Sequence, residues 1–149
     1  MIAHPPCTYL SSSGLHWNKK DIKRATKTIL ALAFVQRLMN ASIYRIAIEN
    51  PIGCISTQIR KPDQIVQPYQ FGHTERKSTC FWIAGLPKLE PTEIVEPDII
   101  IHKSGRTDSR LHYETFKLPK EERRKARSKT FHGIAEAIAA QYTDYLLSL

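Results

Sequence analysis

Residues 1 to 51 constrain the fold more than any other stretch. A short apolar run, Met1-Ile2-Ala3, stops at His4-Pro5-Pro6. Asn18 is a candidate N-cap for a helix over residues 19–39, with an apolar face built from Ile22, Ala25, Ile29, Ala33 and Val35 to Leu38. The second half of that helix is apolar nearly all round, which predicts that it is well buried. Ile43 to Glu49 (IYRIAIE) is short, β-branched and closed by Asn50-Pro51, the mark of a strand followed by a turn. Strand, long helix, strand predicts a βαβ unit with parallel strands and a right-handed crossover. Open α/β sheets keep their sites at the carboxyl ends of such strands. Cys7, just after the first strand, and Glu49, at the end of the second, then share that edge.

Proline cannot donate to a sheet and fixes its own φ, so Pro5-Pro6 gives a stiff, extended exit in front of the Cys7 thiol. A rigid exit suits a nucleophile that must meet a flat substrate from one direction. Alone, the triplet is weak, and a buried structural thiol is the plain alternative. The equivalent alternative for Glu49 is a carboxylate capping the next turn.

The rest of the chain bounds the class. At 149 residues, 42% hydrophobic and 24% charged, it has the size and composition of one soluble globular domain. Its longest apolar stretch, Ile29 to Val35, is too short to cross a bilayer, and no secretory leader is legible, so no membrane partner is expected. Three cysteines favour reduced thiols in a cytosol-like compartment, and a cytoplasmic location is expected. A net charge of +8 fits a polyanionic partner such as DNA, or a generally basic soluble protein without one. The opening inside an apolar strand leads one to expect a segment before residue 1.

Further along, Ser11 to Gly14 reads as a mobile loop. Ile65 to Phe71 and Thr79 to Ala84 are strand candidates, and Leu86 to Pro97 is proline-rich and irregular. Ile99 to His102 is a short strand candidate and Pro119 to Lys129 a highly charged helix. Phe131 to Leu147 is an amphipathic helix carrying Phe131, Ile134, Ile138, Tyr142 and Tyr145 at helical spacing. The basic run Lys117 to Lys129 (KLPKEERRKARSK), with Arg123, Arg124 and Lys125, could track phosphates; a solvated helix face explains it equally well. His73, Cys80 and His102 fit no usual zinc spacing, and no metal is expected.

Residues 5 to 14, PPCTYLSSSG, resemble the nucleophile motif of the DNA cytosine-5 methyltransferases, Pro-Cys-Gln-x-Phe-Ser-x-x-Gly. Pro6, Cys7, Ser11 and Gly14 match, while Thr8 stands where Gln is usual and Leu10 where Phe is usual. Glu49-Asn50 resembles the family's Glu-Asn-Val, with Pro51 in place of Val, at a distance from Cys7 close to the family's. The longer stretch IENPIGCISTQIRKPDQIVQPYQFGH…KSTCFWIAGLP is similar to a phage and prophage group of these enzymes, and the resemblance covers most of the chain. Residues 72 to 83 loosely resemble the later Gln-x-Arg-x-Arg motif, with Arg76 and Lys77 as the basic positions. Gln58-Ile59-Arg60 fits those letters better but comes too soon after Glu49.

The resemblance implies an α/β fold: a partial Rossmann-like methyltransferase core, mostly parallel sheet with flanking helices, plus a short C-terminal helical extension. It implies methyl transfer from S-adenosylmethionine to carbon 5 of a flipped cytosine through a covalent adduct with Cys7, whose pKa a nearby positive charge or helix N-terminus would lower. Glu49, with a pKa raised in a dry pocket, would support protonation of ring nitrogen 3. Pro6, Asn50, Ser11 and Arg76 would support the site. His16 and Trp17, on a loop closing over the base, would contact DNA together with Lys77, Arg123, Arg124 and Lys125.

The implied organisation is a partial catalytic core over residues 1–85, a Pro-rich and basic DNA-contacting insertion over 86–130, and a C-terminal helix over 131–149 packing on the core. The glycine-containing strand-loop-helix that binds S-adenosylmethionine in this family is not legible: Gly53, Gly72, Gly85 and Gly105 stand isolated, none opening a helix after a strand. Three readings stay open: half of a split enzyme completed by a second polypeptide, an inactive remnant, or a non-enzymatic DNA-binding module.

Overall fold

A computed structural model of the chain describes residues 1–128 and 131–149; Lys129, the last residue of the basic run, lies outside them. The chain divides into two compact units, Met1–Val66 with Ser78–Lys88, and Gln67–Lys77 with Leu89–Leu149. The units are interleaved in sequence. Segment 67–77 leaves the first unit, and the C-terminal helix clusters with residues 89–128.

The first unit holds the βαβ. Strand β1 (Ile2–Ala3) is followed by a 3₁₀ turn (Cys7–Tyr9), helix α1 (Ser12–Leu15), a second 3₁₀ turn (His16–Lys19), helix α2 (Ile22–Met39) and strand β2 (Ile46–Pro51). Helix α3 (Ile55–Gln58), strand β3 (Gln64–Val66) and strand β4 (Thr79–Ala84) complete it. Strands β1 and β2 pair in parallel, Ile2 against Ala47 and Ala3 against Ile48.

The sheet order is β1-β2-β4-β3, with β4 antiparallel to both neighbours. The sheet is therefore mixed rather than mostly parallel. A parallel return needs a long crossover, usually helical; residues 67–78 contain only a 3₁₀ turn (Pro68–Gln70), so the chain comes back antiparallel and inserts between β2 and β3. The strand expected to reach Phe71 ends at Val66, because Pro68 opens that turn and the Gln70 side chain accepts from the Gln67 N–H at 2.8 Å.

Period-2 alternation sorts the sheet's faces. Ile46, Ile48, Cys80 and Trp82 join Leu10, Val35, Cys54 and Ile55 in one buried cluster, while Ala47 and Phe81 are buried from the other face. Trp82 donates its indole N–H to the Arg60 carbonyl at 2.9 Å. Helix α2 starts later than expected: Asp21, not Asn18, caps it by accepting the Arg24 N–H. Asn18 is instead held by α2, its amide donating to the Thr28 hydroxyl at 2.9 Å. The helix packs Ala31, Leu32, Leu38 and Met39 against the cluster, yet Ile29, Leu30 and Phe34 are exposed. Its second half is covered on one side only, against the expectation of burial all round.

The second unit contains a two-stranded antiparallel sheet, β5 (Ile99–Ile101) with β6 (Thr107–Ser109), and helices α4 (Arg110–Thr115), α5 (Lys120–Arg127) and α6 (His132–Leu147). Phe71, Leu89, Ile134, Ala137, Ile138 and Tyr142 are buried. Gly133 lets α6 approach the Phe71 backbone, which a Cβ would overlap, and its N–H donates to His73 Nε2 at 3.0 Å. No described helix is long and apolar enough to cross a membrane.

Candidate functional site

Parallel pairing at Ala3 and Ile48 carries the two chains forward side by side, so His4 comes to Glu49 and Pro5 to Asn50. His4 Nδ1 lies 3.0 Å from Glu49 Oε2, and the buried Asn50 amide donates to the Pro5 carbonyl at 2.7 Å. The Asn50 side chain thus holds the Pro-Pro exit rather than the neighbouring carboxyl. Two residues on, Cys7 is exposed and opens the first 3₁₀ turn, its carbonyl accepting from the N–H groups of Leu10 and Ser11 at 3.0 and 2.9 Å.

The segment after Cys7 is tied down from two sides. Ser11 bridges to Gly53, the Cys54 N–H donates to the Leu10 carbonyl at 2.9 Å, and the Ser12 N–H donates to the Ile52 carbonyl at 3.0 Å. Gly53 is required there, because a Cβ would overlap the Leu10 carbonyl oxygen. From α2, Arg24 donates through Nη2 to the Thr8 carbonyl at 2.8 Å and through Nε to the Gly14 carbonyl at 3.2 Å. The Thr28 hydroxyl donates to the Tyr9 carbonyl at 3.0 Å. Where a mobile loop was expected at residues 11–14, helix α1 and the 3₁₀ turn over His16–Lys19 are carried on this clamp. His16 and Trp17 lie with ring centroids 4.7 Å apart, tilted by 42°, with Trp17 about half exposed and the Lys20 ammonium 5.7 Å from its ring.

Below this edge Cys80 pairs in register with Asn50. Burial pushes its thiol up, and the charge of Glu49 adds to that; burial likewise raises Cys54. Cys7 is thus the exposed thiol of the three. A concavity of about 210 Å³ is lined by Met39, Asn40, Ile46, Arg60 and Trp82, and neither Cys7 nor Glu49 lines it. It takes no part in this edge.

The structure brings Pro6, Cys7, Ser11, Glu49 and Asn50 to one end of the first unit. Ser11's hydroxyl meets Ser13 at 3.3 Å. His16 and Trp17 also belong to the first unit, whereas Arg76, Lys77, Arg123, Arg124 and Lys125 belong to the second. Arg76 donates to the Thr107 hydroxyl at 3.0 Å. Lys77 donates to the Arg127 carbonyl at 2.8 Å, at the C-terminus of α5 where a cation is favoured, and lies 5.4 Å from the Phe131 ring. Arg123 donates to the Phe116 carbonyl at 3.2 Å, Arg124 pairs with Glu121 at 3.0 Å, and Lys125 is exposed on the same helix. Among the described residues no group of His, Cys, Asp and Glu gathers as a metal site; His102 is engaged with Asp108 at 2.8 Å.

Sequence reasoning missed His4, Arg24, Thr28 and Gly53. Only His4 had a legible signal: once the strands are taken as parallel, the residue before Pro5-Pro6 must come level with the residue before Asn50. Gly53 also departs from the expectation, since it does stand between a strand, β2, and a helix, α3. The space left by its missing side chain is filled by Leu10, however, and α3 has four residues, so this turn offers no cradle for a cofactor. No protein-family model, curated protein or solved structure matches the chain.

Proposed function

We propose that the chain is the nucleophile-bearing portion of a DNA cytosine-5 methyltransferase homologue. The observation that carries this reading is the parallel register of β1 and β2, locked by the Asn50–Pro5 hydrogen bond, which sets the Cys7 segment and Glu49 on one strand edge. An exposed thiol on a clamped backbone, on the same strand edge as a carboxyl, suits addition to a pyrimidine ring.

A base inside a duplex is out of reach, so the target cytosine must be flipped out. The Cys7 thiolate then attacks carbon 6, forming the S–C6 bond. The electron pair of the C5–C6 double bond moves into the ring, nitrogen 3 takes the proton of the Glu49 carboxyl, and carbon 5 becomes a nucleophile. His4, bonded to Glu49 Oε2, fixes the carboxyl's orientation. S-adenosylmethionine supplies the methyl cation equivalent in such chemistry, and the turn at Gly53 does not fit it, because its free space is occupied by the Leu10 backbone. On this reading a second polypeptide supplies the donor's site.

The addition step can be tested without a methyl donor. Once Cys7 has added, carbon 5 can take a proton from water, and loss of the original hydrogen with expulsion of the thiolate regenerates cytosine. Duplex DNA carrying tritium at cytosine carbon 5 should release it to water with the wild-type chain and not with Cys7→Ala. Glu49→Gln should slow release by about a hundredfold. DNA binding without any release would sink the catalytic reading and leave a binding module.

A further inference from the structure

Helix α2 has two apolar faces, and the sheet covers one of them. Val35 and Thr28 are buried on the inner side, whereas Ile22, Ile29, Leu30 and Phe34 are 79, 67, 64 and 46% exposed. With Ala33, also exposed, these residues fall at helical spacing on one broad stripe. Scattered exposed apolar residues are ordinary in soluble proteins, but a contiguous stripe on one helix marks an interaction surface.

The charge beside the stripe says what covers it. Lys23 and Lys27 run along one edge, Arg37 closes the far end, and Lys19 and Lys20 precede the helix. Residues 22–39 contain no aspartate or glutamate, and Asp21 is occupied capping the Arg24 N–H. A second copy of the same face would set Lys23, Lys27 and Arg37 against their own equivalents in a chain of net charge +8, which disfavours self-association.

We propose that the outer face of α2 docks an amphipathic helix of another polypeptide, one carrying an apolar stripe flanked by aspartates and glutamates. This is helix-on-helix recognition, as in a zipper, with apolar anchors giving affinity and rim charges giving selectivity. The inference stands on α2 alone and is independent of any chemistry at Cys7.

The test uses the full chain and two fluorescein-labelled helical peptides with one leucine stripe, one flanked by glutamates and the other by lysines. Anisotropy titration at low salt should show saturable binding of the glutamate peptide, with the lysine peptide weaker by about tenfold or more, a gap that narrows as salt rises. Leu30→Asp with Phe34→Asp should lose binding at unchanged far-UV circular dichroism, since both side chains are exposed. Lys23→Glu with Lys27→Glu should reverse the peptide preference while keeping the stripe. Equal affinity for both peptides, no binding of either, or undiminished binding by the Leu30→Asp/Phe34→Asp variant would overturn the proposal. So would a dimer in sedimentation that this variant dissociates, or adsorption to phosphatidylserine vesicles through these residues without peptide selectivity.

Discussion

Asn50 offers the sharpest test of how the site is held. Its side-chain amide donates to the Pro5 carbonyl at 2.7 Å, while its Oδ1 is buried with no partner among the described residues. Replacing it with alanine removes one buried hydrogen bond and strands a buried carbonyl, but also removes an oxygen that was already unsatisfied. The net loss should be about 1–2 kcal/mol. Asn50→Asp keeps the shape and changes the sign of the argument. A neutral carboxylic acid can donate to Pro5, but a carboxylate can only repel it, so the folded state holds this group protonated and its pKa is raised above the unfolded value of about 3.9. Its contribution is therefore whole below that value and is lost as pH rises through the folded pKa. In between, the variant should weaken relative to wild type by about 1.4 kcal/mol per pH unit. Urea denaturation followed by far-UV circular dichroism at pH 5 and pH 7 measures both variants against wild type. An alanine variant within about 0.5 kcal/mol of wild type, or an aspartate variant whose deficit ignores pH, would refute the role given to this amide.

Three further outcomes follow from the same geometry. Gly53→Ala should cost about 1–3 kcal/mol, because parting the segments breaks the Cys54–Leu10 and Ser12–Ile52 backbone bonds; the urea midpoint reports it. Iodoacetamide on the native chain should modify Cys7 alone, Cys7→Ala should take up none, and unfolding should expose Cys54 and Cys80, as peptide mass spectrometry will show. Burial works to raise the Asp63 carboxyl, but hydrogen bonds from Arg60 and the Ile83 N–H, with the guanidinium charge, outweigh it and hold it below the usual range. That stabilisation is whole above the ordinary carboxylate value of about 3.9 and fades as pH falls through the folded value. Asp63→Asn should melt below wild type at pH 7, by no more than about 1 kcal/mol for a pair so open to solvent, with the gap closing in acid.

The βαβ unit was legible because it depends on local chemistry: β-branched runs, helical apolar spacing, and prolines that stop a ladder. The edge carrying Cys7 and Glu49 followed from that unit alone. The insertion of β4 between β2 and β3 was not legible, since TCFWIA alternates in the same way whichever neighbour it pairs with. Residues 11–14 read as a loop because Ser-Ser-Ser-Gly carries no helix signal; Arg24, Thr28 and Gly53 impose their shape from a distance. Asn18 and Asp21 are both good caps, and what decides between them is that Thr28 takes Asn18. The apolar excess of α2 was legible, but no single chain can say which of its two faces the same chain covers.

The clamp around Cys7 works almost wholly through main-chain groups. Thr8 and Tyr9 are held by their carbonyls, Leu10 by its carbonyl and by a buried side chain. Shape and chemistry are therefore encoded separately along this segment. Position 10 is committed to the core, whereas positions 7 and 8 display exposed side chains on a path that others maintain. Substitution at Thr8 is free to change what this edge displays while the scaffold stays put. The surface presented at this edge can therefore change one residue at a time, without a destabilised intermediate.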